Sequence, residues 1–107
     1  EQRIPVNGQP YGMVIDGEML YVCLYNTHYI GVYRKDTGAQ ERMMGGPGVF
    51  TNPVGLAQDG EMLYVTEHLG HRVQVVRKEN ATTVRRLEDN TLRSPFGILL
   101  DEQHVYV

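Results

Sequence analysis

Glu67, His68 and His71 form the densest group of metal-ligating side chains in the chain, an acid followed by two histidines three residues apart. Neutral imidazoles and carboxylates hold zinc when they converge on one point. This stretch reads as a turn between strands, where a spacing of three does not force convergence, and it matches no zinc signature. The corresponding turn upstream keeps one histidine, His28, at the place of His71. With His104, the four histidines are expected to be turn and surface residues, and no metal or cofactor is expected.

Nucleophilic chemistry has even less support. Serine occurs only at Ser94, beside Pro95, where it reads as a connector. Cys23 lies in a predicted strand with no base fixed beside it by spacing, so a small half-buried thiol is expected. Gly45-Gly46-Pro47-Gly48 lacks the lysine and hydroxyl residue of a phosphate loop and reads as a flexible connection. No catalytic residue is assigned.

Two basic pairs, Arg34-Lys35 and Arg77-Lys78, recur with an acid behind each, and Arg85-Arg86 adds a third. A periodic basic rim is one reading. Solvent-facing charged turns are the plainer one, because the adjacent acids cancel part of the field and no stacking aromatics are interleaved. The formal charge of −3 and the absence of long like-charge runs give no nucleic-acid footprint. A single cysteine excludes an internal disulfide and favours a reducing compartment. No apolar run approaches a membrane span and the first residues do not read as a signal peptide, so a cytoplasmic protein without membrane contact is expected. Asn80-Ala81-Thr82 fits a glycosylation acceptor, a tripeptide common by chance.

The elements that carry these residues are set by an internal repeat. Pro10-Tyr11-Gly12, Pro53-Val54-Gly55 and Pro95-Phe96-Gly97 recur at offsets of 43 and 42 residues. Downstream, Asp16-Gly17-Glu18-Met19-Leu20-Tyr21-Val22 is repeated identically from Asp59 to Val65, and Asp101 to Val107 is a decayed third copy. Each unit reads as four short strands. In the first unit they fall at Met13–Ile15, Met19–Leu24, Tyr29–Tyr33 and Gln40–Met44; in the second, at Leu56–Gln58, Met62–Glu67, Arg72–Val76 and Thr82–Leu87. The Asp-Gly dipeptide predicts a tight hairpin with positive φ at both turn positions. No segment carries a helical apolar period.

Four strands per unit of about 40–45 residues is the arithmetic of a propeller blade, so the fold class is all-β, with about two and a half blades of four antiparallel strands. The predicted division is an N-terminal strand of a shared blade over 1–9, a blade over 10–52, a second over 53–94, and two strands of a third over 95–107. The run from Leu63 to Val75, with Tyr64-Val65, the acidic Glu67, a turn, and Arg72-Val73-Gln74-Val75, resembles the core of an NHL repeat. The first unit departs from that pattern where Leu24 replaces Glu67 and Tyr29 replaces Arg72. A paired change of this kind predicts that the two positions touch across the hairpin.

The resemblance implies a ring of six blades, more than one chain supplies. Either self-association closes the ring, with a homodimer favoured, or the chain belongs to a larger propeller. Residues 3–6 would supply a strand to the shared blade, as its third or its fourth. The resemblance also allows a metal-dependent hydrolase or lyase with a channel site, and an RNA-binding propeller. The reading preferred here is a non-catalytic scaffold that binds a protein partner. Repeat proteins place function on positions that vary while the frame persists, which selects Tyr25, Asn26, His28, Tyr29, Glu67, His68, His71 and Arg72 as candidate binding residues.

Overall fold

A computed structural model describes residues 10–88 and, as strand backbone, Leu99–Leu100 and Val105–Tyr106. Strands β1 (Pro10–Asp16), β2 (Met19–Leu24), β3 (Tyr29–Arg34) and β4 (Gln40–Gly45) form one antiparallel sheet in chain order. Strands β5 (Pro53–Asp59), β6 (Met62–Glu67), β7 (Arg72–Arg77) and β8 (Thr83–Glu88) form a second sheet of the same order, and β9 (Leu99–Leu100) pairs with β10 (Val105–Tyr106). β5 packs beside β1, and β9 beside β5. First strands stacked in succession, with the other three fanning outward, are blades of a β-propeller. No helix occurs among the described residues. The predicted strand over residues 3–6, Ser94, Pro95-Phe96-Gly97 and His104 lie outside them.

The second and third strands begin where the sequence places them, but β1 and β5 start three residues earlier than predicted, at the prolines. Proline tolerates the first position of a strand because no ladder hydrogen bond is asked of it there. A register shift follows each proline, between Pro10 and Met13 and between Pro53 and Gly55. The glycine of the Pro-x-Gly motif then has a steric purpose. A Cβ on Gly12 would stand 2.6 Å from the Val54 carbonyl oxygen and 3.1 Å from the Leu56 nitrogen, so only glycine lets β5 lie this close to β1.

The hairpin corners differ from expectation. Asp16 pairs with Met19 and Asp59 with Met62, so the aspartates end their strands and the turns are Gly17-Glu18 and Gly60-Glu61. Only the glycines have positive φ, 61° and 59°. That places glycine at the first central position, as in a type II′ turn, in place of the Asp-Gly type I′ turn.

Alternation along the strands gives each sheet two apolar faces. The face of the first sheet turned toward the second contributes Tyr21, Cys23, Ile30, Val32 and Met44 to a core completed by Leu56, Leu63, Val65 and Val76, with Phe50 from the connection between the sheets. The opposite face of the first sheet holds a smaller cluster of Val22, Leu24 and Tyr33, flanked by Leu20, Tyr29 and Met43. Gly31 lies under the Tyr33 ring, where a Cβ would meet Cε1 at 2.6 Å.

The glycine-rich connection is tightly built, contrary to its sequence reading. The Gly46 carbonyl accepts from the amides of Val49 and Phe50, and the Gly46 amide donates to the His28 carbonyl. Gly45, with φ of 83°, faces the Phe50 ring so closely that a Cβ would stand 2.3 Å from Cδ2. Phe50 is 1% exposed, so these glycines serve to bury an aromatic anchor between the blades.

Candidate functional site

Pro10 pairs with Leu24 and Pro53 with Glu67, so the turns after β2 and β6 lie at the end of the sheets where β1 and β5 begin. Both turns are closed in the same way. The His28 amide donates to the Leu24 carbonyl at 3.1 Å, and the His71 amide to the Glu67 carbonyl at 3.0 Å. His28 and His71 have φ of 67° and 53°. Histidine is among the residues enriched in this left-handed region, so a backbone demand accounts for its recurrence at this position.

Asn52, in the connection before β5, joins the two turns. Its amide donates to His28 Nδ1 at 3.0 Å and its side-chain nitrogen to the Tyr25 carbonyl at 3.1 Å. Its carbonyl accepts from the His68 amide at 3.0 Å. Across the same junction Tyr25 Oη lies 3.2 Å from His68 Nδ1, and the Tyr11 ring meets the Tyr25 ring edge-on at 5.0 Å.

Below the turns, Glu67 organises a buried polar group. Its carboxylate accepts from the Thr51 amide at 2.7 Å, Arg72 Nε at 2.9 Å and Gln74 Nε2 at 2.8 Å. Gln74 Nε2 also donates to the Val49 carbonyl, and Thr83 Oγ1 donates to Gln74 Oε1 at 2.7 Å. Glu67 and Gln74 are fully buried. A carboxylate is tolerated there because several donors replace its hydration. Glu67 faces Arg72 across the β6–β7 ladder, and Leu24 faces Tyr29 across β2–β3, which is the cross-strand contact predicted from their paired exchange.

The candidate residues therefore separate. Tyr25 and His68 meet directly, and His28 joins them through Asn52. Asn26 and His71 are exposed in the turns. Glu67 and Arg72 belong to the buried pair, and Tyr29 packs beneath Gly46, where a Cβ would stand 2.8 Å from its ring. The sequence reading missed Tyr11, Thr51, Asn52, Leu69 and Gln74. Asn52 carried a usable signal, since asparagine is one of the few residues that readily accept its φ of 52°. Leu69 offered none beyond being apolar at a turn tip, where it is 53% exposed.

Among the described residues no three metal-ligating side chains come together. Cys23 is fully buried, and burial pushes its thiol far above the ordinary value, with a backbone contact from Gly12 acting in the opposite direction. Such a thiol is a packing group rather than a nucleophile.

The basic turns are not the uniform solvated rim expected. Arg34 forks onto Asp36 at 3.2 Å, and this hydrogen bond holds the Asp36 carboxyl below its usual range. Lys78 is 6% exposed, with Nζ 2.9 Å from Asp16 and 2.8 Å from Gln58 Oε1. Arg42 reaches the carbonyls of Lys78 and Glu79. Of this rim, Lys78 is therefore committed to joining one blade to the next, with Arg42 of β4 beside it.

No protein-family model and no curated protein matches the chain. Solved structures share its fold. Hydrazine synthase of Kuenenia stuttgartiensis superposes with a TM-score of 0.71 at 19% identity, over 92% of this chain and 28% of that one. The computationally designed Ika8 protein gives 0.68 at 11% identity, over 91% and 29%. The designed Ika4 protein gives 0.53 at 10% identity, over 98% and 90%. The chain spans less than a third of hydrazine synthase and Ika8, and identities this low speak for the fold alone.

Proposed function

We propose that the chain is a non-catalytic scaffold, an NHL-type propeller module that binds a protein partner on the face formed by the turns after β2 and β6, its ring completed by self-association. The observation that supports this is the junction of Tyr25 with His68. Two turns from different blades are locked into one surface, on positions that differ between the repeats, beside Tyr11 and Leu69, which are 45% and 53% exposed. Exposed aromatic and apolar side chains on a rigid frame are what a protein interface uses as anchors. Tyr25, Asn26, His28, His68 and His71 would take part at the surface, with Glu67, Arg72 and Tyr29 supporting from below.

The test compares proteins retained by the wild-type chain with those retained by Tyr25→Ala/Leu69→Ser and by Arg77→Ala, which lies at the far end of β7. The expected result is a set of proteins lost, by at least about tenfold in yield, only from the Tyr25/Leu69 variant. An anchor side chain contributes roughly 2 kcal/mol or more to binding. Equal retention by all three chains would reject this face.

A further inference from the structure

Equivalent positions of the two sheets are in opposite states. On the second sheet, Val54 and Leu56 of β5 are buried at 4% and 8% exposure. Gln58 donates to the Ile15 carbonyl at 2.8 Å. Lys78 is buried between Asp16 and Gln58, with its ammonium 5.9 Å from the centre of the Tyr21 ring. One repeat earlier the same positions are Tyr11, Met13, Ile15 and Lys35. Tyr11, Met13 and Ile15 are 45%, 56% and 52% exposed, and Lys35 is exposed at its turn.

Met13 and Ile15 alternate along β1 on the face that holds the Val22, Leu24 and Tyr33 cluster, since Met13 pairs with Val22 and Ile15 with Leu20. β1 is also an edge strand of its sheet. A continuous apolar stripe with a cation at its end has the composition of a face that is covered in the working protein. The contact of β5 with β1 shows what covers such a face. It takes a neighbouring first strand with a glycine at the position of Gly12, an apolar sheet surface like that of Tyr21 and Cys23, and an aspartate at the hairpin corner to receive the lysine.

We propose that this face of the first sheet, Met13 and Ile15 with Lys35, docks a blade of the same repeat supplied by a second copy of the chain. Lys35 pairs with that blade's corner aspartate as Lys78 pairs with Asp16. Because β9 already packs beside β5, the blade that docks is the last repeat of the second copy, whose sequence carries the required glycine and aspartate as Gly97 and Asp101. The charge fits as well, because an exposed lysine meets an aspartate and a stripe without charge meets an apolar sheet. The proposal rests on the self-association part of the proposed function and names the surface that performs it.

Light scattering across a concentration series tests it on the whole chain, using wild type, Met13→Lys, Lys35→Glu and, as a control, Val84→Lys. Val84 is 49% exposed on β8, away from this face. Wild type and Val84→Lys are expected at a multiple of 12.2 kDa. Met13→Lys and Lys35→Glu are expected to weaken association at least about tenfold, with an unchanged far-ultraviolet circular dichroism spectrum. Should Met13→Lys lose structure, Lys35→Glu at an exposed turn decides. A multimeric wild type with both variants equally multimeric would overturn the surface and leave self-association standing. A wild type at the single-chain mass throughout would overturn both, while binding by the Tyr25 and Leu69 face would remain open to its own test.

Discussion

Glu67→Leu is expected to destabilise the fold by about 3–5 kcal/mol, the usual consequence of removing one partner of a buried ion pair. Glu67 is fully buried, and three separate donors end on its carboxylate: the Thr51 amide, Arg72 and Gln74. The substitution leaves the amide and the Gln74 nitrogen short of an acceptor and takes the carboxylate from Arg72. Against a typical total stability of about 5–15 kcal/mol, a loss of this size leaves a large unfolded fraction. The first blade supplies the control, because it carries Leu24 and Tyr29 at these positions. Glu67→Leu/Arg72→Tyr should recover part of the loss by installing that apolar pair. Recovery stays incomplete, since the first blade has Gly31 where the second has Gln74, and Gln74 would still be buried. Chemical denaturation of the single and double variants measures both steps.

Gly12→Val is expected to have an effect of comparable size by a different route. The new Cβ would stand 2.6 Å from the Val54 carbonyl oxygen and 3.0 Å from the Gly55 Cα. Both are backbone atoms of a paired strand, so neither can rotate out of the way. Overpacking of this kind costs about 1–3 kcal/mol and more where the obstruction is rigid. The first and second sheets must then move apart, opening the core shared by Tyr21, Cys23, Leu56 and Val65. A fall in melting temperature of about 10 °C or more follows for a domain of this size. Gly12→Ala should fall between wild type and valine. Gly17→Ala is the useful comparison, because that glycine has no neighbour within 4 Å and only its φ of 61° to protect.

The blade pattern was legible because it is written twice. Seven identical residues from Asp16 to Val22 and from Asp59 to Val65 fix the register of β1–β2 and β5–β6, and the alternation of apolar residues fixes which side chains turn inward. The pairing of Glu67 with Arg72 was legible from its replacement by Leu24 and Tyr29. Contacts between blades were not. Lys35 and Lys78 occupy the same repeat position, yet one is exposed and the other buried. The difference is made by the neighbouring sheet rather than by local sequence. Asn52 escaped notice for the same reason, since its partners Tyr25, His28 and His68 are spread over the turns of both blades. The type of the hairpin corner was misplaced by one residue because Asp-Gly suits a type I′ turn and Gly-Glu a type II′ turn, and the dipeptides overlap at the glycine.

The scaffold reading and the docking face both depend on how the two sheets sit against each other. Each sheet could form its own hairpins without that contact, and the proposed binding surface, made of turns from two blades, exists only with it. Nuclear Overhauser spectroscopy of the folded chain reads the contact directly between β1 and β5. The blade arrangement predicts a strong cross-peak between a Gly12 Hα and the Leu56 amide, across the gap where a Cβ would lie 3.1 Å from that nitrogen. Its absence, with cross-peaks between Met13 and Val22 still present, would show intact sheets that are not stacked as blades.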